Sequence, residues 1–157
     1  VALLALLVTV GGVAYLTTRT TEQGSPTQTP IAPDPTGPPV LPLRAGEYAR
    51  EPGDATAPPD FGVDRSIQTT YANYLRNNEP VLIAVAARPV EDSKALFDQI
   101  KIRAQREVGD GWCGRDGSGL DVCILQRGRT AVLTFGLRDQ TPEEIMQATQ
   151  LILTDTA

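Results

Sequence analysis

The placement of proline is the feature that most restricts how this 157-residue chain can fold. Ten of its thirteen prolines lie within residues 22–60. Proline fixes φ and removes an amide donor, so closely spaced prolines favour extended, unpaired backbone. We therefore predict a disordered linker at residues 19–60 and a folded domain of about 97 residues at 61–157, which is large enough to bury a modest core.

The N-terminal segment is uncharged and mostly apolar over residues 1–16. As a helix, residues 1–18 would span about 27 Å, slightly less than the hydrocarbon core of a bilayer at about 30 Å. We predict that residues 1–18 form a single transmembrane anchor in the lipid bilayer. A secretory signal cleaved near Ala14 is the alternative, because Gly12-Val13-Ala14 supplies the small residues that a signal peptidase requires.

The folded part begins with two predicted strands. Residues 81–87, VLIAVAA, are apolar at every position and bounded by prolines, which indicates a central strand buried on both faces. Residues 66–78 have mixed helical and strand signals. The β-favouring Thr69-Thr70-Tyr71 and the turn-like Asn77-Asn78 lead us to interpret them as the first strand of a hairpin.

Three further segments have clear patterns. Residues 91–109 predict an amphipathic helix closed by Gly109. Residues 122–127 and 129–137 predict a tight hairpin. Residues 141–153 predict a second helix, because the sequence T-P-E-E at its start is a capping box with proline at the first helical position.

The order strand–strand–helix therefore occurs twice. Such a ββαββα order predicts an α+β fold with a four-stranded antiparallel sheet and both helices on one face. The transmembrane helix and the linker would precede it. The second face of the sheet would be open to solvent or to a partner.

Composition excludes several classes of function. The chain has no histidine, which removes every imidazole-based catalytic arrangement. Its formal net charge is −5 and no basic stripe is present, so nucleic-acid binding is not expected. The acid pairs Glu91-Asp92 and Glu143-Glu144 lie in the first turns of predicted helices, where the helix dipole accounts for them. Twelve arginines against two lysines are typical of a GC-rich bacterial genome.

The glycine-rich stretch at 109–123, GDGWCGRDGSGLDVC, predicts no cofactor or metal site. Its glycines spell G-x-G-x-x-G, but they follow a predicted helix and precede a strand, the reverse of a dinucleotide site. Asp116, Ser118 and Asp121 do not match a calcium-binding loop. Two cysteines without histidine cannot complete a zinc site.

Cys113 and Cys123 are the only cysteines. In an oxidising compartment they would form one disulfide, which would stabilise the domain by about 2.5–3 kcal/mol. We therefore interpret residues 109–123 as a disulfide-bonded loop between helix and strand. Two reduced thiols in a cytosolic domain are the alternative.

Five residues in or near this stretch are candidates for binding a partner: Trp112, Arg115, Asp116, Arg127 and Arg129. An aromatic side chain beside a constrained loop can anchor a partner, and the arginines could contact an anionic group. The simpler interpretations are that Trp112 packs over the disulfide or a helix end and that the arginines are solvated.

These observations together predict a single-pass protein of the bacterial plasma membrane. Its C-terminal domain would be extracytoplasmic, non-catalytic and devoted to binding or scaffolding. The expected partner is a protein or another cell-envelope component, bound through the open sheet face and the glycine-rich loop. The alternative is a secreted carrier of a small ligand, released by signal cleavage. An enzyme that uses aspartate and serine of the glycine-rich loop is a third hypothesis.

Overall fold

A computed structural model describes residues 36–53 and 63–157 of the chain. The described part forms one eight-stranded antiparallel sheet and two helices. In chain order these are β1 Arg44–Ala45, β2 Tyr48–Arg50, β3 Gln68–Arg76, β4 Glu79–Arg88, α1 Ser93–Gln99, β5 Arg103–Val108, β6 Gly111–Arg115, β7 Asp121–Arg127, β8 Thr130–Gly136 and α2 Pro142–Asp155. The prediction of a four-stranded sheet is therefore wrong.

The sheet consists of two four-stranded meanders that share one seam. Its strand order is β1-β2-β3-β4-β8-β7-β6-β5, so β1–β4 and β5–β8 each pair with their neighbours in sequence. The seam is the antiparallel pairing of β4 with β8, from Leu82↔Gly136 to Ala87↔Ala131. The two hairpins predicted from sequence, β3–β4 and β7–β8, are confirmed.

The predicted helix at 91–109 is wrong over its second half. Helix α1 ends at Gln99, and the next turn contains Lys101 with φ 61° and the β5 strand contains Ala104 with φ 50°. Residues 103–108 instead pair with β6, and Gly109, with φ 58°, lies in the turn between them. The apolar spacing that suggested a helix face is overridden because this edge segment obtains backbone partners in the sheet.

The two helices lie on opposite faces of the sheet, not on one face as predicted. Leu82, Ala84 and Ala86 of β4 belong to the core cluster that contains the buried residues of α2. Val85 and Ala87 belong to the cluster that contains those of α1. Strand side chains alternate between faces, so an apolar run such as 81–87 requires cover on both sides.

Part of the predicted linker contributes to the folded domain. Leu41, Ala45 and Tyr48 are buried and pack in the same cluster as α2. The buried Tyr74 hydroxyl donates a 2.7 Å hydrogen bond to the Pro42 carbonyl, and burial raises the pKa of Tyr74. The prolines here do not prevent pairing because none of them lies within β1 or β2, where it would remove a hydrogen-bond donor from the sheet.

Helix α2 begins as its sequence predicts. Thr141 Oγ1 accepts a hydrogen bond from the Glu144 amide at 3.3 Å, and Glu144 Oε2 accepts one from the Thr141 amide at 2.7 Å. Pro142 is the first helical residue. The predicted capping box is confirmed.

The fold prediction also included a transmembrane helix. No helix within residues 36–53 and 63–157 is long and apolar enough to cross a membrane. The predicted anchor, residues 1–18, lies outside the described residues.

Candidate functional site

A cleft of about 180 Å³ lies where β4 ends, β8 begins and α2 ends. We call it the arginine cleft because three of its lining side chains are guanidinium groups. Its lining residues are Arg88, Arg127, Arg129, Thr130, Leu153, Thr154, Thr156 and Ala157.

Strand alternation brings these side chains to one place. Arg88 has the same parity on β4 as the residues that face α2, and Arg127 has the same parity on β7 as Cys123 and Leu125. Thr130 lies one residue beyond the last seam pair, Ala87↔Ala131, and therefore opposite Arg88. The three residues thus share the α2 face at one end of the sheet.

Arg88 is the most unusual residue of the cleft. Its side chain is charged, yet the residue is only 7% exposed. Its Nε donates a 2.8 Å hydrogen bond to Thr130 Oγ1. No other residue of the described part accepts a hydrogen bond from it, and no described carboxylate lies within ion-pair distance. A guanidinium has five N–H donors, so the four on its terminal nitrogens have no protein acceptor there.

The other two arginines of the cleft are held differently. Arg127 makes only a long hydrogen bond, 3.4 Å from its terminal nitrogen to Thr154 Oγ1. Arg129 forms an ion pair with Glu91, with its Nε 2.9 Å from Glu91 Oε1. The charge of Arg129 is therefore partly compensated at the rim, whereas those of Arg88 and Arg127 are not.

The end of α2 supplies the polar wall of the cleft. Thr156 satisfies two carbonyls of the last turn, because its Oγ1 donates to Ile152 at 2.7 Å and its amide donates to Leu153 at 3.3 Å. Thr154 Oγ1 donates to the Gln150 carbonyl at 2.8 Å. Ala157 is fixed by two backbone hydrogen bonds with Val40, of 2.7 and 3.1 Å. This wall is thus ordered by its own hydrogen bonds and does not need the arginines as caps.

The remaining predicted contact residues lie elsewhere. Arg115 is at the opposite end of the β6–β7 hairpin from the cleft, where its Nε is 3.0 Å from Asp121 Oδ1. Asp116 lies in the β6–β7 turn and accepts hydrogen bonds from the amides of Ser118 and Leu120 at 2.9 and 2.8 Å.

Trp112 packs against the core cluster that includes α1. The Lys94 ammonium lies 5.3 Å from the centre of its ring, within the range of a cation–π contact. Of the five predicted contact residues, the structure brings only Arg127 and Arg129 together.

The predicted disulfide between Cys113 and Cys123 is confirmed, with an S–S distance of 2.01 Å. It joins directly opposed residues of β6 and β7. The predicted loop between helix and strand is therefore a β-hairpin, formed by β6, a turn and the start of β7. Gly111 shows why glycine is needed there, because a Cβ at this position would lie 2.2 Å from the carbonyl oxygen of Ile124.

A second concavity, of about 230 Å³, lies beside the disulfide. It contains two arginines, Arg106 and Arg115, and each forms an ion pair with a carboxylate: Arg106 with Glu143 at 2.9 Å and Arg115 with Asp121 at 3.0 Å. The cations of this second concavity are therefore compensated within the domain, in contrast to Arg88.

The described residues offer little that resembles a catalytic or metal centre. Across these residues no group of three or more cysteine, aspartate or glutamate side chains is placed to hold a metal ion. In the arginine cleft the hydroxyls of Thr154 and Thr156 donate to helix carbonyls, so no neighbouring base activates them. The charged hydrogen-bond donors that line the cleft are the guanidinium groups of its three arginines.

Arg88 was missed by sequence reasoning, although a signal for it exists. It ends the apolar run of β4 and continues the parity of Leu82, Ala84 and Ala86. A charged residue in phase with the buried side of a central strand is a candidate for function once the strand register is known.

No protein-family model, no curated protein and no solved structure matches this chain.

Proposed function

We propose that this chain is a non-catalytic binding protein of the bacterial cell envelope. Residues 1–18 would hold it in the plasma membrane, and the folded domain would face away from the cytoplasm and bind a protein or envelope component. The observation that carries the binding role is the buried guanidinium of Arg88, which faces the cleft without a carboxylate partner among the described residues.

The disulfide supports the extracytoplasmic location. Both cysteines are buried, and neither remains as a free thiol in the described part. Disulfides persist in oxidising compartments and are rare in the cytosol of most bacteria. The proposal therefore places the domain outside the cytoplasm.

The energetics of Arg88 support binding over a purely structural role. A cation that is largely withdrawn from water without a counter-ion loses part of its hydration on folding, and apolar side chains of similar volume are often more stable at such positions. An anionic partner would offset that loss on binding. A residue that is unfavourable for folding and favourable for recognition is what a binding site requires.

The sheet itself offers few other places for a partner. Both faces are covered in part by a helix, which corrects the expectation of one fully open face. One edge strand, β1, has only two residues. The other, β5, is irregular at Ala104 and exposes the charges of Arg103 and Arg106. Such edges disfavour the addition of a partner strand, so recognition is directed to the cleft.

Fractionation of cells with thiol labelling tests this proposal. The intact chain is expected in the membrane fraction, with both cysteines protected from alkylation until a reductant is added. A membrane-impermeant protease should digest the domain from the outside. Cysteines that alkylate without reduction, or a chain found wholly in the cytosolic fraction, would contradict the proposed location.

A further inference from the structure

We infer that the arginine cleft binds a phosphate-type oxyanion, carried by a soluble molecule or by a lipid headgroup. This inference names the ligand class of the binding function proposed above and rests on that function. The charge of the cleft, the arrangement of its donors and its size support it, and the helix end has no structural need for the arginines.

The charge of the cleft is positive although the chain is acidic overall. Three of its lining residues are arginines and none of the described lining residues is an aspartate or glutamate, while the main-chain oxygens of Ala157, the last residue of the sequence, also line it. Glu91 compensates only Arg129, from the rim. A local excess of guanidinium groups in a chain of net charge −5 attracts an anion to this position.

The donors of Arg88 are already oriented. The hydrogen bond from Nε to Thr130 Oγ1 fixes one edge of the guanidinium plane. The two terminal nitrogens form the fork that binds two oxygens of a carboxylate or phosphate with paired hydrogen bonds. Because the residue is 7% exposed, little side-chain entropy remains to be lost on binding.

The number of donors favours phosphate over carboxylate. One arginine fork occupies both oxygens of a carboxylate. The cleft offers a second guanidinium, Arg127, from β7, which is separated from the strand of Arg88 by β8, and the only hydrogen bond of Arg127 is long. A phosphate group has a further non-bridging oxygen that this second arginine can contact.

The size of the cleft sets the scale of the ligand. Its volume of about 180 Å³ is below the range of about 300–1,000 Å³ that is usual for sites binding a whole drug-sized molecule. The cleft therefore fits one compact anionic group, with the rest of the ligand outside. This makes it a site for the end or headgroup of a larger molecule.

A structural role at the end of α2 does not explain the arginines. A cation near a helix C-terminus interacts favourably with the helix dipole, but the gain is typically only about 0.3–1 kcal/mol. The carbonyls of Ile152 and Leu153 are already satisfied by Thr156.

The test is a calorimetric titration of the full chain in a nonionic detergent with inorganic phosphate. Sodium acetate at equal ionic strength is the comparison. We expect phosphate to bind and acetate to bind at least about tenfold more weakly, because the second arginine adds a charged hydrogen bond. Equal affinities for the two anions would overturn the assignment to phosphate.

Variants then locate the site. R88M should weaken phosphate binding about tenfold or more. R115M, which alters an arginine of β6 that is ion-paired with Asp121 away from the cleft, should leave the affinity for phosphate unchanged. R88M should also melt at or above the temperature of the unaltered chain in phosphate-free buffer. Unchanged phosphate affinity in R88M would refute the site. R127M serves as the second variant, with a smaller expected loss, if R88M does not fold.

The source of the phosphate is distinguished by a second ligand, dihexanoyl-phosphatidylglycerol below its micelle concentration. Tighter binding of this lipid than of phosphate supports a headgroup, and weaker binding supports a soluble phosphate compound. The phosphate titration and the fractionation experiment test the inference and the proposed function separately. Protected cysteines at the membrane with no phosphate binding would refute only the inference. Phosphate binding by a chain whose cysteines alkylate freely in cells would refute only the location.

Discussion

Gly114→Ala probes the close contact between β6 and the neighbouring edge strand. A Cβ at Gly114 would lie 2.6 Å from the carbonyl oxygen of Arg103 and 2.6 Å from Ile102 Cγ2. The oxygen belongs to the backbone and cannot rotate away, so the strand itself has to move. To remove this steric overlap, β5 would have to move away from β6 near Arg103, where the pairing is already irregular.

The expected loss of stability follows from two opposed effects. Overpacking of this kind typically costs about 1–3 kcal/mol. Alanine recovers roughly 0.5–1 kcal/mol relative to glycine in a strand, because the unfolded chain has fewer conformations to lose. The net effect is a decrease of about 0.5–2 kcal/mol in the free energy of unfolding. For a domain near 100 residues this lowers Tm by about 2–16 °C.

Gly117→Ala is the matched control. Gly117 lies in the turn between β6 and β7, and a Cβ there would have no atom within 4 Å. This variant should be neutral or slightly stabilised. Urea and thermal unfolding, followed by circular dichroism without reductant, would compare both variants with the unaltered chain. Equal denaturation midpoints for the two variants would refute the reasoning from close packing.

Three further predictions concern other parts of the domain. Replacing Cys113 and Cys123 together by alanine should lower the free energy of unfolding by about 2.5–3 kcal/mol in urea titrations, because the unfolded chain loses a closed loop. Thr149→Val should cost about 1–3 kcal/mol because it leaves the buried hydroxyl of Thr134 without its partner, and adding Thr134→Val should recover much of this in a double-mutant cycle. The hydrogen bond from Lys94 lowers the pKa of the Asp98 carboxylate. The stabilisation that this hydrogen bond gives the folded domain is therefore present above the unfolded-state pKa of the carboxylate and is lost as the pH falls below about 4. A profile of Tm against pH should therefore fall less steeply on the acid side for Asp98→Asn.

Sequence reasoning succeeded where signals were local. The capping box at Thr141 and Glu144 requires only residues three positions apart, and it defined the start of α2. The β3–β4 hairpin depended on Asn77 and Asn78, which both adopt positive φ in the turn, as asparagine does more readily than most residues.

It failed where distant pairing decided the conformation. The spacing of Ile100, Ala104 and Val108 fits a helix. Residues 103–108 nevertheless pair with β6 as a strand, and no local pattern could indicate this pairing. Leu41, Ala45 and Tyr48 are embedded in a proline-rich stretch, and they are buried by the sheet together with α2, which are distant in sequence. Tertiary contacts therefore outweighed local propensity in both places.

The sequence does contain a signal that both faces of the sheet are covered. Residues 81–87 are apolar at every position, and this pattern requires apolar neighbours on both sides of the strand. Only part of the arginine cleft could be predicted from the sequence. Arg127 and Arg129 were recognised as candidates for an anion, whereas Arg88 becomes visible only when the register of β4 against β8 is known.

The seam between the two meanders has a consequence for how the domain is made. Most strand pairs join near neighbours in sequence, but β4 and β8 pair residues that are about 50 positions apart. Closing such a loop is slower than closing a hairpin, so we expect the seam to form late in folding. During synthesis the VLIAVAA segment emerges directly after β3, with which it pairs as a hairpin, but long before β8 exists. Until β8 follows, the second edge of this apolar strand has no partner, and this is the interval in which it is most exposed to aggregation.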